Sequence, residues 1–337
     1  MMRILFILFL STNIFCAIMT EEKLIHDDVE RTYLKYIPTE YQKNVPINLV
    51  IGLHGYSGSA SGFVRETTGM FNLSAEKYNF IGIYPQGDFF YDKSDQDYSF
   101  ISSWNELSSS KGFSPNGEIC VSDAVIYPKY PNCKNNNRCS WTSCVDDIGF
   151  IKNIIETIKK NYDIKKVYVL GMSNGGMMAQ ALACEYPHLF AGVANVVGMQ
   201  HLGLSCVPNS PVSFILYGGA NDIVVPPVKI KSYDGYLYEP IKNTFSNWSD
   251  KFGCKYSEVI EINTHNKLSK NLSSGCENNV KIISILNYDS GHHWPGTNSN
   301  RGYCHDEIQN NINSPKCKSV TPNQWGNDFL LEILFNL

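Results

Sequence analysis

One serine near the middle of the chain has the surroundings of a catalytic nucleophile. Ser173 lies in a Gly-Met-Ser-Asn-Gly segment, a G-x-S-x-G pattern between an apolar run and a helical pattern. Glycines on both sides allow a turn too tight for larger side chains, and such a turn lifts the serine hydroxyl out of a sheet. The following helix points its free backbone N–H groups at the same place. The segment therefore predicts a nucleophile, with a purely structural turn as the alternative.

A serine hydroxyl needs a base to take its proton, and that base needs an acid to orient it. In strand-to-helix sites the acid and the histidine follow the serine along the chain. Asp222 follows the apolar run 212–216, where open α/β sheets place ligand-binding residues; the alternative is an Asx turn only. His292 and His293 follow the apolar run 280–286, and spacing alone does not choose between them.

Two backbone N–H groups are candidates for an oxyanion hole, the pair of donors that stabilises a tetrahedral intermediate. One belongs to Asn174, the residue after the predicted nucleophile. The other belongs to Tyr56 in the loop His54-Gly55-Tyr56, which follows the apolar run 47–53. An ordinary turn is the alternative interpretation of this loop.

The elements that must position these residues alternate between short strands and helices. Strands are predicted over residues 31–37, 47–53, 80–84, 166–170, 191–197, 212–216 and 280–286. Helices are predicted from the capping pair Asp146-Asp147 to Tyr162 and over residues 175–184, 240–252 and 322–335. This alternation predicts an α/β fold with a mostly parallel central sheet and helices on both faces.

Residues 86–144 show neither the alternating pattern of a strand nor the spacing of an amphipathic helix. They are rich in Gly, Ser and Asn and contain four cysteines, which predicts a disulfide-stapled loop region and not a separate domain. Residues 22–337 are accordingly predicted to form a single catalytic domain that carries this insert. Long loops of this kind often determine specificity.

Composition excludes several classes of protein. The 337 residues are 43% hydrophobic and 18% charged, which allows a full core and rules out a disordered polyelectrolyte. The formal net charge of -4 provides no basic field, so nucleic acid is not an expected partner. Beyond the N-terminus no apolar run approaches the roughly 18 to 20 residues of a membrane span, so none is expected in the mature chain.

The first residues have the pattern of a secretory signal. Arg3 precedes an apolar run from Ile4 to Leu10, and small residues follow. A signal peptide is predicted over residues 1–17, with cleavage between 16 and 20 and secretion as the outcome. An N-terminal membrane anchor is the alternative.

The cysteines also favour export. Eleven are present, and loss of Cys16 with the signal leaves an even number, which favours disulfides. A zinc site is the rival, but the spacing of Cys133, Cys139 and Cys144 does not match the usual metal-ligand pattern. Sequons for N-glycosylation, which fit a secretory route in a eukaryote, occur at Asn72, Asn247 and Asn271.

Seven motifs, in order over roughly residues 30 to 300, resemble the secreted polyhydroxybutyrate depolymerase and feruloyl esterase family. They are Leu53-His54-Gly55, Tyr84-Pro85-Gln86-Gly87, Ser103-Trp104-Asn105, Asp146-Asp147-Ile148-Gly149-Phe150, Gly171-Met172-Ser173-Asn174-Gly175-Gly176-Met177, Asn221-Asp222 and Gly291-His292-His293-Trp294-Pro295-Gly296. The resemblance implies an α/β-hydrolase fold and ester hydrolysis, with Ser173 as nucleophile and Asp222 as acid. The family pattern Gly-His-x-Trp-Pro-Gly implies His292 as the base and places His293 in the variable position.

The same resemblance implies two disulfides, Cys184 with Cys206 and Cys254 with Cys276. Many family members have a cysteine where this chain has Tyr56, which removes any disulfide there but leaves the backbone donor. The pairing of the other six cysteines is not determined by the sequence; they are Cys120, Cys133, Cys139, Cys144, Cys304 and Cys317.

Three aromatic residues of the motifs are candidate substrate contacts. Trp104 is a candidate for the acyl pocket and, equally, for the hydrophobic core. Trp294 is expected first to pack behind the His292 loop and only second to contact substrate, and His293 lies beside it.

These patterns predict a secreted serine ester hydrolase that works through an acyl-enzyme without a metal or organic cofactor. The expected substrate is an ester carried by a polysaccharide or polyester. Feruloyl esters of plant cell walls come first, with poly(3-hydroxybutyrate) and acetylated xylan as alternatives. A serine peptidase or acyltransferase with the same triad, and a non-catalytic binding protein on the same fold, stay open; the oligomeric state is not predicted.

Overall fold

A computed structural model describes residues 18–67, 71–93, 99–134, 137–262, 268–296 and 325–337. Within these ranges the strands are β1 (Ile18–His26), β2 (Val29–Ile37), β3 (Ile47–Leu53), β4 (Phe80–Pro85), β5 (Asp88–Asp92), β6 (Ser99–Ser103), β7 (Phe113–Ser114), β8 (Gly117–Glu118), β9 (Ile164–Met172), β10 (Gly192–Val196), β11 (Phe214–Gly219), β12 (Tyr256–Ile262), β13 (Leu268–Ser274) and β14 (Ile282–Asn287). The helices are α1 (Ala60–Glu66), α2 (Phe71–Tyr78), α3 (Asp147–Asn161), α4 (Asn174–Glu185), α5 (Ile241–Lys251) and α6 (Trp325–Phe335).

Ten of these strands form one sheet in the order β1-β2-β4-β3-β9-β10-β11-β14-β13-β12. The six central strands, from β4 to β14, are parallel. Antiparallel hairpins extend the sheet at both edges, β1 and β2 at one and β12 and β13 at the other. The mostly parallel sheet predicted from the sequence is therefore confirmed.

The central strands are apolar on both faces because helices cover both. Successive residues of a strand point to opposite faces, and along β3 Leu49 and Ile51 belong to one hydrophobic cluster while Val50 belongs to the other. The first cluster includes residues of α3, α4 and α5, and the second includes residues of α1, α2 and α6. This two-sided burial produces the continuous apolar runs visible in the sequence.

Several elements were not predicted. β1 is an edge strand with exposed charged residues and pairs only with β2, so it lacks an apolar pattern. At the opposite edge β12 likewise pairs with one strand, β13, and its residues Tyr256, Val259 and Ile260 are exposed, so no buried alternation marks it. Helices α1 and α2 have only 7 and 8 residues, which is too short for a clear helical period.

The insert, residues 86–144, contains two small hairpins, β5 with β6 and β7 with β8. Two disulfides close it, Cys120–Cys139 and Cys133–Cys144. These cysteines are therefore not zinc ligands, and the prediction of a stapled loop region is correct for the described part. Backbone hydrogen bonds such as Val121 N–H to Gly235 O attach the insert to the loop after β11.

The two disulfides implied by the family resemblance are also present. Cys184 bonds to Cys206, and Cys254 bonds to Cys276. Cys304, Cys317 and the predicted signal peptide lie outside the described residues. No helix in the described ranges combines the length and the apolar character needed to cross a bilayer.

The three sequons differ in accessibility. Asn247 is exposed on α5 and Asn271 is half-buried on β13. Asn72 is only 9% exposed and accepts a hydrogen bond from the Tyr84 hydroxyl. In the folded chain Asn72 is therefore less accessible to solvent than Asn247 and Asn271.

Candidate active site

The predicted nucleophile lies in a strained turn between β9 and α4. Ser173 has φ 56° and ψ -125°, in the left-handed half of backbone space that a non-glycine residue rarely adopts. Its N–H donates to Val196 O at 2.8 Å, which fixes the turn against β10. A Cβ on Gly171 would collide with the Gly175 backbone, and one on Gly175 would collide with the Leu53 and His54 carbonyls. The two flanking glycines are therefore required by close backbone packing, as the motif predicted.

Three side chains from distant parts of the chain form one continuous hydrogen-bond chain. The Ser173 hydroxyl lies 2.9 Å from His292 Nε2. His292 Nδ1 lies 2.7 Å from Asp222 Oδ2. Since the carboxylate accepts, Nδ1 carries a proton and donates, which leaves Nε2 free to accept the serine proton. The structure thus brings together the three residues predicted from the sequence, and it selects His292 over His293 for the central position.

Asp222 has two hydrogen-bonding functions, one for each carboxylate oxygen. While Oδ2 faces His292, Oδ1 accepts from the N–H groups of Val224 at 2.8 Å and Val225 at 2.9 Å. The Asx turn considered as an alternative is therefore also present. This turn fixes the carboxylate so that its second oxygen points at the imidazole.

Strand pairing brings the acid and the base to the same edge. Gly219 at the end of β11 pairs in parallel with Asn287 at the end of β14. Beyond the strands, Asn221 N–H donates to Ser290 O at 3.0 Å, so the two loops remain attached as they leave the sheet. A Cβ on Gly219 would collide with the backbone of Ser290 and Gly291, which again explains a glycine.

The site is largely shielded from water. Ser173 is 8% exposed, and the side chains of His292 and Asp222 are 11% and 0% exposed. Electrostatic interactions among such groups are stronger than they would be in bulk water.

The two predicted oxyanion donors belong to Asn174, the residue after the serine, and to Tyr56, the residue after Gly55. Gly55 packs so tightly on the nucleophile that a Cβ there would lie 3.3 Å from the Ser173 Cβ. Among the hydrogen bonds of the described residues, neither the Tyr56 N–H nor the Asn174 N–H has an acceptor. The Tyr56 ring packs edge-on against Tyr127 and Trp141, which anchors its backbone to the insert.

His54 holds this loop as a neutral imidazole. Its Nε2 accepts from the Gly87 N–H at 3.0 Å, so the ring proton is on Nδ1, which donates to Gly55 O at 2.7 Å. Complete burial lowers the pKa of His54 to about 4, which keeps the ring uncharged at neutral pH. The resemblance placed His54 in a motif, but only the structure gives it this role.

Trp104 lies in the core and not on an open pocket wall. Its residue exposure is 0%, and its indole N–H donates to His54 O at 2.8 Å. Of the two roles considered for it, substrate contact and core packing, the structure supports the second, because no part of the side chain is accessible.

Trp294 packs in the hydrophobic core next to the predicted base, which fits the expected packing behind the His292 loop. It is 2% exposed, its ring contacts Phe63 and Phe71, and its indole N–H donates to Asn327 Oδ1 at 2.7 Å. The Asn327 amide in turn donates to Thr67 O, which links the His292 loop to α1 and α6. The neighbouring His293 is half-buried and its N–H donates to Gly291 O.

Asn327 is the residue that sequence reasoning missed. It is fully buried on a helix with a strongly apolar sequence, Phe329, Leu330, Leu331 and Leu334 among its neighbours. An amide on the apolar side of a helix signals a specific hydrogen-bond partner, and that signal was available in the sequence.

One other group in the described ranges has side chains of the metal-binding type: His26, Asp27 and Asp146. Asn153 Nδ2 donates to His26 Nδ1, and the opposite ring nitrogen faces Asp146 Oδ2 at 3.2 Å. Asp146 also caps α3 by accepting from Gly149 N–H. Because both ring nitrogens are already hydrogen-bonded, this group fits a helix cap better than a set of metal ligands.

Comparison with known proteins agrees with this architecture. Residues 125–232 match the family model described as "alpha/beta hydrolase fold". Feruloyl esterase B of Neurospora crassa is 37% identical over 98 residues, which cover 26% of this chain and 34% of that protein. Poly(3-hydroxyalkanoate) depolymerase C of Paucimonas lemoignei is 34% identical over 83 residues, 22% of this chain and 20% of that protein. The aligned segments thus span 34% and 20% of the lengths of these two relatives.

A solved structure supports the same fold. The acetyl xylan esterase from Aspergillus awamori superposes with a TM-score of 0.51 at 16% identity, over 86% of this chain and 97% of that one. The α/β-hydrolase fold is confirmed, and so is the resemblance to feruloyl esterases and polyhydroxyalkanoate depolymerases.

Proposed function

We propose that the protein is a secreted serine carboxylic-ester hydrolase. One observation supports this above all others: the Ser173 hydroxyl, the His292 imidazole and the Asp222 carboxylate form an unbroken hydrogen-bond chain at a strained turn. Strain is retained where function requires a particular orientation. The relatives named as esterases support the same reaction type.

In the proposed mechanism His292 Nε2 takes the Ser173 proton as Oγ forms a bond to the ester carbonyl carbon. Asp222 holds the imidazole in the required tautomer and stabilises the imidazolium that forms. The carbonyl π electrons move to oxygen, and the resulting oxyanion accepts hydrogen bonds from the Tyr56 and Asn174 N–H groups. When the carbon–oxygen bond to the alcohol breaks, His292 returns its proton to the leaving alcohol, and the acyl-enzyme remains.

Water then completes the cycle. His292 removes a proton from water as the water oxygen attacks the acyl carbon, and the second oxyanion uses the same two N–H donors. The Ser173 oxygen leaves and recovers its proton from His292, which releases the acid and restores the starting state. No step requires groups other than those of the chain, the ester and water.

The proposed substrate is a feruloyl ester on plant cell-wall polysaccharide. Poly(3-hydroxybutyrate) and acetylated xylan are the alternatives, since the three relatives are named for three different esters. Polysaccharide or polyester carriers fit a protein that acts outside the cell, and the disulfides support this location because such bonds persist in oxidising compartments.

The decisive test is Ser173→Ala. Turnover of p-nitrophenyl acetate should fall by about a million-fold, to background, because loss of a serine nucleophile removes the acyl-enzyme route. Circular dichroism should show an unchanged fold, and Ser210→Ala at an exposed loop serine should keep full activity. Retained activity in Ser173→Ala would refute the nucleophile, while an inactive wild type with every ester tested would favour a non-catalytic binding protein.

The substrate is identified by product release. Wild-type protein is incubated with feruloylated arabinoxylan, acetylated xylan and poly(3-hydroxybutyrate), and released ferulate, acetate and 3-hydroxybutyrate are quantified. We expect ferulate release to have the highest kcat/KM. Faster release of acetate or 3-hydroxybutyrate would replace feruloyl esters with the corresponding alternative, and cleavage of a peptide amide at a comparable rate would indicate a peptidase.

A further inference from the structure

Trp104 is hydrogen-bonded to both chain segments that provide the oxyanion donors, although it touches neither donor itself. It follows β6 at the base of the insert and is completely buried. Its main chain contacts the segment that contains Asn174, and its side chain contacts the segment that contains Tyr56. Each contact is a hydrogen bond of good length.

The first contact is a two-point clamp. Trp104 N–H donates to Asn174 Oδ1 at 2.7 Å, and Asn174 Nδ2 donates to Trp104 O at 3.2 Å. Both bonds use a single planar amide, so they fix the orientation of the Asn174 side chain as well as its position. Because Asn174 is the first residue of α4, this clamp holds the helix end from which one oxyanion donor projects.

The second contact fixes the opposite segment. The Trp104 indole N–H donates to His54 O at 2.8 Å, and the indole packs on the His54 ring with centroids 4.8 Å apart. His54 O lies two residues before the Tyr56 N–H. The neighbouring pair Ser57 N–H and Ser102 O, at 2.8 Å, attaches the same loop to β6 on the other side of Tyr56.

Trp104 is itself held from behind by a buried ion pair. The next residue, Asn105, donates its N–H to Asp147 Oδ2 at 2.7 Å, and Asp147 Oδ1 pairs with Arg31 at 2.6 Å. Asp147 is fully buried and Arg31 nearly so. Because a buried pair of this kind is costly to break, the position of Trp104 relative to the sheet is well defined.

We propose that Trp104 is a positioning residue that sets the separation of the Tyr56 and Asn174 N–H groups, and that its indole N–H is the part that does so on the Tyr56 side. This inference rests on the proposed function, since it concerns how the oxyanion is stabilised. Donors that are fixed before the reaction need no reorganisation when charge develops, so their effect depends on how rigidly they are held. If the Tyr56 segment is held less rigidly, the transition state should be stabilised less, while substrate binding should be nearly unchanged.

The test removes the indole N–H and keeps a smaller aromatic side chain at the same position. Trp104→Phe deletes the indole N–H, and Trp248→Phe is the matched control, because Trp248 is equally buried and its indole N–H donates to the backbone oxygen Cys206 O at 2.9 Å. We expect kcat for p-nitrophenyl acetate to fall about tenfold to a hundredfold in Trp104→Phe, less than the loss of a whole donor, with KM nearly constant. Trp248→Phe should lose comparable thermal stability and keep its kcat.

A second measurement separates positioning from a general loss of packing. In a phenylboronic acid complex, Ser173 Oγ bonds to boron as its proton moves to His292, and the resulting tetrahedral boronate anion places a hydroxyl oxygen in the oxyanion hole. The dissociation constant therefore reports on that hole without turnover. In Trp104→Phe this constant should rise by the same factor as kcat falls, and in Trp248→Phe it should not change. If Trp104→Phe does not fold, 3-benzothienylalanine at position 104 replaces the N–H by sulfur in a ring of nearly the same shape.

The outcomes separate this inference from the proposed function. An active wild type with unchanged kcat and boronate affinity in Trp104→Phe would overturn the positioning role and leave the esterase intact. A fall in kcat with unchanged boronate affinity would also overturn it, since the oxyanion hole would then be unaffected. An inactive wild type would refute the proposed function, while the boronate affinities of the variants would still decide whether Trp104 positions the two donors.

Discussion

The two sides of the candidate site are built in different ways. On the base side, Asp222 and His292 follow β11 and β14, and parallel pairing of those strands brings the two residues together. On the oxyanion side, the Tyr56 and Asn174 segments follow β3 and β9, which also pair, but Trp104 of the insert lies between the segments and bonds to both. Each side includes a buried tryptophan whose indole N–H reaches an oxygen in another segment.

This difference shows what each side depends on. The base side needs strand register and a brace from α6, since Trp294 bonds to Asn327 and Asn327 to Thr67. The oxyanion side needs the insert, which is closed by two disulfides and is attached through Asn105 to the buried pair of Asp147 and Arg31. Damage to the insert should therefore affect oxyanion stabilisation, and damage to the α6 contact should affect the base.

The largest effect is expected on the base side, from Asp222→Asn. Asparagine retains an oxygen for the Val224 and Val225 N–H groups, which turns its NH2 group toward His292 Nδ1. Since NH2 can only donate, the imidazole adopts the wrong tautomer. We expect kcat for p-nitrophenyl acetate to fall by about 10⁴-fold with little loss of stability. Asp250→Asn, at an exposed position on α5, should retain wild-type kinetics. Near-normal turnover in Asp222→Asn would remove the carboxylate from the mechanism.

Removal of single disulfides tests whether the oxyanion side depends on the insert. Cys133→Ser with Cys144→Ser opens a loop of 11 residues, and Cys254→Ser with Cys276→Ser opens one of 22. Each pair should reduce the free energy of unfolding by about 3 kcal/mol, as measured by urea denaturation. Only the first pair should also lower kcat, because Ser143 beside Cys144 donates its N–H to Ser103, the residue before Trp104. If both variants have the same kcat, the insert does not support the site.

A smaller effect is expected from Asn327→Ala. The change removes the hydrogen bonds of Asn327 to the Trp294 indole N–H and to Thr67 O, and loss of buried hydrogen bonds of this kind costs about 1 to 3 kcal/mol. Because the brace behind His292 is lost, kcat should fall while the boronate affinity, which reports on the oxyanion side, falls less. Asn336→Ala, at an exposed position near the end of the same chain segment, is the control and should change stability by under about 0.5 kcal/mol. A greater loss of boronate affinity than of kcat would contradict the division into two sides.

The residues of the base side could be predicted from the sequence because the patterns that indicate them lie within short segments of the chain. The glycines around Ser173 and the apolar runs before Asp222 and His292 follow from the geometry of strands and tight turns, which a one-dimensional pattern preserves. Asx-turn formation by Asp222 was considered as an alternative to the acid role, yet the structure contains both, since each carboxylate oxygen has a separate partner.

The contacts of Trp104 and Asn327, which hold the two sides in place, could not be predicted in the same way. Trp104 contacts residues 50 and 70 positions away through one indole N–H and one main-chain pair, and no periodicity encodes such contacts. An amide among apolar residues indicates that Asn327 has a partner, but its partner Thr67 lies 260 residues away and cannot be identified from the sequence. The edge strand β1 was missed for a related reason, because a strand with a single neighbour and exposed charges has no apolar alternation to detect.

The order of the three side chains along the chain affects how the protein is made. His292 follows Ser173 by 119 residues, so at roughly 5 to 20 residues per second a ribosome adds it about 6 to 24 seconds later. During that interval the nascent polypeptide has an alcohol with no imidazole beside it. Under the proposed mechanism, ester hydrolysis would begin only when β14 joins β11, and a chain interrupted during translation or trimmed before that strand would not hydrolyse esters.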